Sequence, residues 1–109
     1  FPLLSRYPFT SDVIVRAHWR PEVLVDWMRG EAKEVDLRGR LGAIEAPALV
    51  IAGEDDAWSP LESAREVAEL LPGARCRSFP GARHSVFADA PEAYEELRVF
   101  LDEVQAATA

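Results

Sequence analysis

Ala48-Leu49-Val50-Ile51-Ala52-Gly53-Glu54-Asp55-Asp56 is the stretch on which the fold turns. Five apolar residues run without alternation, a glycine ends them, and three carboxylates follow. A continuous apolar run of strand length suits a strand covered on both faces, as parallel strands of α/β proteins are. Downstream, Ser59 is an expected N-cap and Pro60 an expected first helical residue, with Glu62 in the first turn where the helix dipole favours an anion. Leu61, Ala64, Val67, Ala68 and Leu71 mark an amphipathic helix that Pro72-Gly73 stops. A second short strand is expected over about Arg75 to Phe79, running into Pro80-Gly81 and a loop that holds His84. Pro91 then starts a last helix, with Ala93, Leu97, Phe100, Leu101 and Val104 facing inward. Strand, helix, strand, helix implies a right-handed crossover and parallel pairing.

Upstream of the strand, Asp36 is a plausible N-cap, and Leu37, Leu41 and Ile44 fall on one helical face. Pro47 forbids continuation of that helix. Asp12 to Gly30 also reads as helical, with Val13, Ala17, Val23, Leu24, Trp27 and Met28 as the apolar set, Pro21 as a break and Gly30 as the close. Phe1 to Thr10, with Pro2 and Pro8, reads as irregular. Two strands fall short of the about five or six of an ordinary sheet. A lone parallel pair also leaves two unpaired edges on strands that look buried. Further strands are therefore expected outside these residues.

A chain of 109 residues allows one domain at most, or part of one. Its net charge of -7 argues against a nucleic-acid backbone or an anionic membrane as partner. One cysteine, Cys76, excludes an intrachain disulfide, and two histidines leave no zinc framework. No metal or cofactor is expected. No apolar run approaches the roughly 18 residues of a membrane helix. No leader of charged then apolar residues opens the chain, so a cytoplasmic location is expected. Cys76, inside a strand, is expected to be buried and inert, and His18 to be a lid or surface residue.

Each strand is followed by a polar loop: Gly53 to Pro60 after the first, Gly81 to Phe87 after the second. Reacting groups in open parallel sheets sit beyond the carboxyl ends of the strands. Neighbouring strands lie about 4.8 Å apart, so side chains from the two loops can touch. Asp56 and His84, placed so, suit an orienting carboxylate and a general base. Singly, an acidic loop before a helix is usually a cap and a loop histidine is usually solvated. The pair, each member after its own strand, is far more specific.

Ala46 to Asp56 resembles the penultimate strand and acid loop of α/β-hydrolases, where the triad aspartate stands three residues after a glycine; that makes it Asp56 rather than Asp55. Leu71-Pro72-Gly73-Ala74 and Phe79-Pro80-Gly81-Ala82-Arg83-His84 resemble the approach to the triad histidine, and Asp89-Ala90-Pro91-Glu92 with the following helix resembles the family's C-terminal end. The resemblance spans Val35 to Val104. Arg83 stands where the family usually has a second glycine, and Ala57 where it often has proline. The resemblance implies an α/β class: the C-terminal part of an α/β-hydrolase fold, with two parallel strands, flanking helices and the end of a helical lid. Residues 1–34 would be lid and residues 35–109 core.

Family members run nucleophile, acid, base, with the nucleophile on a Gly-x-Ser-x-Gly elbow. None of Ser5, Ser11, Ser59, Ser63, Ser78 and Ser85 has the flanking glycines. The elbow and oxyanion hole are expected upstream, and the chain alone is expected to be inactive without that N-terminal half. Phe1-Pro2-Leu3-Leu4, Arg20-Pro21-Glu22-Val23, Trp27-Met28-Arg29-Gly30-Glu31 and Val35-Asp36-Leu37-Arg38 leading to Leu41 are similar to the prolyl aminopeptidase (proline iminopeptidase) branch. There, acidic lid residues hold the substrate's free amine. Glu22, Asp26, Glu31 and Glu34 are candidates, and a solvated acidic helix face is the alternative for each. The resemblance implies a serine hydrolase of N-terminal peptide bonds or carboxylic esters, acting on a small molecule or peptide. Two alternatives remain open: an aspartate nucleophile, as in epoxide hydrolases and haloalkane dehalogenases, and a hydrolase-like interaction domain without catalysis.

Overall fold

The computed structural model describes Ser5, Arg6 and residues 11–109. Of the expected irregular opening, residues 1–4 and 7–10 lie outside the described residues, and Ser5 and Arg6 belong to no helix or strand. In chain order come α1 (Ser11–Arg16), α2 (Pro21–Arg29), a 3-10 turn (Glu31–Lys33), α3 (Arg38–Leu41), β1 (Leu49–Gly53), α4 (Leu61–Leu70), β2 (Arg75–Phe79), α5 (Val86–Asp89) and α6 (Ala93–Thr108).

The two strands pair in parallel, in register from Leu49 opposite Arg75 to Gly53 opposite Phe79. Both polar loops therefore leave the same end of the sheet. The crossover helix α4 packs against both strands. On β2, Arg75 and Arg77 share a face, since strand side chains alternate with a period of two. They tie α6 down through Arg75–Glu103 at 2.7 Å and Arg77–Glu96 at 3.1 Å, and the Arg75 guanidinium lies 5.2 Å from the Phe100 ring centre. The core gathers beneath the second loop, where Phe79, Ala82, Val86, Ala90 and Ala93 are buried and Ile51 and Phe87 pack onto them.

Several expectations are corrected. The first turn of α4 starts from Pro60 rather than Ser59, with Ser63 N–H bonding the Pro60 carbonyl at 2.9 Å. The helix expected over 36–44 shrinks to α3, because Gly39 and Gly42 are poor helix formers and Leu37 and Ile44 stay exposed. Its N-cap is Leu37 rather than Asp36, whose Oδ1 still accepts the Arg38 N–H at 3.1 Å; hydrogen bonding from the Arg38 side chain lowers the Asp36 carboxyl to about 2. In α6, Ala93, Leu97, Phe100 and Val104 form the inward stripe, and Leu101 falls outside it at 54% exposure. Cys76 is half-buried rather than buried. The break expected at Pro21 is present: the helical stretch 12–30 divides into α1 and α2, as Pro21 biases the residue before it away from helix. The apolar set on α2, Val23, Leu24, Trp27 and Met28, is exposed, as the described residues give it little cover beyond the 3-10 turn.

Candidate active site

Two loops become one site through a glycine. Gly53, the last residue of β1, lies so close to the second loop that a β-carbon there would collide with the carbonyl oxygens of Ala82 and Arg83. That approach lets the backbone of one loop bond the other. Glu54 N–H donates to the Phe79 carbonyl at 3.1 Å, and Asp55 N–H to the Ala82 carbonyl at 2.9 Å. Gly81 opens the second loop at φ +74, a backbone region that L side chains rarely adopt.

These constraints bring Asp56 and His84 together. Asp56 Oδ2 lies 2.9 Å from His84 Nδ1, while Asp56 Oδ1 accepts the N–H groups of Trp58 at 2.8 Å and Ser59 at 3.0 Å. Asp56 is buried, whereas its neighbour Asp55 is exposed; the imidazole is 43% exposed. Burial alone would raise the Asp56 carboxyl. The hydrogen bonds from Ser59, His84 and Trp58, with the attraction of His84, outweigh it and hold the carboxyl below its ordinary value. An ionised Asp56 can only accept, so Nδ1 carries the proton and Nε2 is left as the basic nitrogen. The arrangement can take a proton on one side of the ring while a fixed charge stabilises the imidazolium on the other.

Two further features surround His84. The Trp58 ring sits 5.7 Å from the His84 ring, centre to centre, tilted by 40°. An open hollow of about 440 Å³ beside His84 is lined by Ile51, Ser85, Val86, Phe87, Ala88 and Tyr94. The sequence reading missed Trp58, although an aromatic residue two positions after the acid, in a polar loop, was a usable signal.

Three of the acidic candidates lie outside this cluster. Glu22 and Asp26 are exposed on α2, and Glu34 is exposed after the 3-10 turn. Glu31 begins that turn, and its side chain lies outside what is described. His18 is exposed and lines a separate hollow of about 470 Å³ with Arg20, Val23, Leu24 and Trp27. Among the described residues no group of three His, Cys, Asp or Glu is arranged to hold a metal ion. No described helix is long and apolar enough to cross a membrane.

Comparison with known proteins places the fold. No protein-family model matches the chain. The pimeloyl-[acyl-carrier protein] methyl ester esterase of Chromobacterium violaceum is 38% identical over 71 residues, covering 65% of this chain and 28% of the esterase. The proline iminopeptidase of Levilactobacillus brevis is 35% identical over 66 residues, 61% of this chain and 22% of that protein. An alpha/beta fold family hydrolase of Bacillus anthracis superposes with a TM-score of 0.62 at 25% identity, over 74% of this chain and 28% of that one. The chain carries part of an α/β-hydrolase fold. It spans about a quarter of the length of these curated relatives. In this part of the fold the parallel pair β1–β2, the crossover α4 and the helices α5 and α6 carry the Asp56–His84 pair.

Proposed function

We propose that the protein containing this chain is a serine hydrolase in which His84 is the general base and Asp56 its orienting carboxylate. The nucleophile and oxyanion donors come from outside these residues. The observation that carries the proposal is the 2.9 Å contact between His84 Nδ1 and a buried, pKa-lowered Asp56. In the reaction, His84 Nε2 takes the serine hydroxyl proton as the oxygen attacks the acyl carbon. The imidazolium then returns the proton to the departing alcohol or amine. Water repeats the cycle on the acyl-enzyme and frees the acid. Asp56 stays ionised throughout and offsets the imidazolium charge. The substrate class is a carboxylic ester or an N-terminal peptide bond, the chemistries named for the esterase and iminopeptidase relatives. In this reading residues 1–34 end a helical lid and residues 35–109 belong to the core, with Glu22, Asp26, Glu31 and Glu34 as candidates for holding a substrate amine.

The test uses the full-length protein with a p-nitrophenyl ester, a prolyl p-nitroanilide and a fluorophosphonate probe. Hydrolysis of either substrate with probe labelling is expected. His84→Ala should lower kcat on the order of 10³-fold or more. Near-wild-type turnover in that variant removes His84 from the mechanism. Hydrolysis of an epoxide or haloalkane without labelling would point to an aspartate nucleophile, and silence on all substrates to a binding domain.

A further inference from the structure

Asp89 is a second buried carboxylate at the same end of the sheet, and the mechanism above does not use it. It closes α5 at 8% exposure, five positions after His84. Its Oδ2 accepts the Arg83 N–H at 2.8 Å. Its Oδ1 accepts the Ser5 hydroxyl at 2.5 Å and the Arg6 N–H at 2.7 Å. Both oxygens are engaged, Oδ1 by partners 84 and 83 residues earlier in the chain and Oδ2 by one six residues earlier.

We propose that Asp89 is a positioning residue for His84, locking the peptide unit one residue before it and joining the base loop to the Ser5–Arg6 segment. That unit is the carbonyl of Ala82 and the N–H of Arg83. Its oxygen is taken by Asp55 N–H at 2.9 Å, from the acid loop, and its hydrogen by Asp89 at 2.8 Å. With both ends held, this peptide plane resists flipping or tilting, and it fixes the Arg83 backbone from which the following Arg83–His84 unit, and with it the His84 side chain, is built. Arg6 reinforces the grip from above: its guanidinium lies beside Gly81, 3.1 Å from where a β-carbon would be. A charged acceptor is suited to the task, because hydrogen bonds to a carboxylate are stronger and shorter than those to neutral groups. Misplacing a catalytic group by about 1 Å can cost on the order of 10²-fold in rate, so a lock one residue away from the base matters to turnover.

The inference rests on His84 being the base, and two independent readouts separate the claims. In the full-length protein, Asp89→Asn keeps the shape, but either amide orientation turns an NH2 group against an N–H or O–H donor. The variant should lower kcat about 10- to 100-fold with KM within about 2-fold, and should shift or broaden the downfield His84 Nδ1–H proton resonance. Asp89→Glu, which restores the charge, should recover part of both. Wild-type kcat together with an unmoved resonance overturns the proposal, even if Tm falls. If the wild-type protein hydrolyses nothing, the serine hydrolase reading fails, and the resonance alone still decides the role of Asp89. If Asp89→Asn does not fold, Asp89→Glu decides, since its added methylene should produce a smaller but resolvable shift; an unmoved signal there overturns the lock.

Discussion

Asp56 is the residue on which charge, burial and hydrogen bonding meet. Its carboxyl is depressed in the folded chain, so the unfolded state binds the proton more readily than the native state. The contribution to stability is therefore fully present above the ordinary carboxylate value, about 3.9, and is lost as pH falls through the lower folded value. Asp56→Asn should remove this component: the stability gap between wild type and variant, read from urea midpoints, should be widest near neutrality and narrow below about pH 4. The same substitution presents an NH2 group or a neutral oxygen to Nδ1 in place of a charged acceptor. It should lower kcat on the order of 10³- to 10⁴-fold by losing the tautomer that leaves Nε2 basic. A gap that widens toward acid would show that Asp56 is not depressed. At this scale the sequence was informative for Asp56 and His84, whose strand-then-loop setting is local. It was silent on Asp89, whose meaning comes from Ser5 and Arg6 at the far end of the chain.

At the scale of elements, the join between β1 and its loop carries the most constraint. Gly53 brings two loops into backbone contact, and a methyl group added at that position would be driven into the Ala82 and Arg83 carbonyls. Relief requires the loops to separate, stretching the Asp55–Ala82 hydrogen bond between them. Gly53→Ala should therefore cost about 1–3 kcal/mol, in the range of overpacked sites. It should also lower kcat, measured on the same preparations by urea unfolding and ester hydrolysis. Unchanged stability would mean that the loops are free to part. Elements bounded by strong punctuation were legible: β1 and β2 fall within a residue of expectation because Pro47, Gly53, Gly73 and Pro80 frame them. Elements that depend on what covers them were less so. Leu37, Leu41 and Ile44 have helical spacing, yet two glycines and an exposed apolar face leave only the four residues of α3.

Across the whole molecule, apolar surface is distributed unlike that of a self-sufficient domain. Trp19, Val23, Leu24, Trp27 and Met28 are each more than half exposed near α2, and among the described residues the sheet has two strands. Buried core residues are mostly small, with Phe79 and Val86 the larger side chains among them. At about 25 cal/mol per Å² of apolar area, such a core contributes modestly against the conformational entropy of ordering 109 residues. The hollow beside His84, open and lined by Ile51, Val86 and Phe87, is apolar surface of the same kind. These 109 residues expressed by themselves should bind a hydrophobic dye such as ANS strongly and unfold without a sharp transition, and the full-length protein should do neither. Cooperative unfolding of the 109 residues with little dye binding would mean that α2 and the strand edges need no further cover. The Asp56–His84 pair would then stand on a scaffold that is stable alone, and its geometry could be measured there directly.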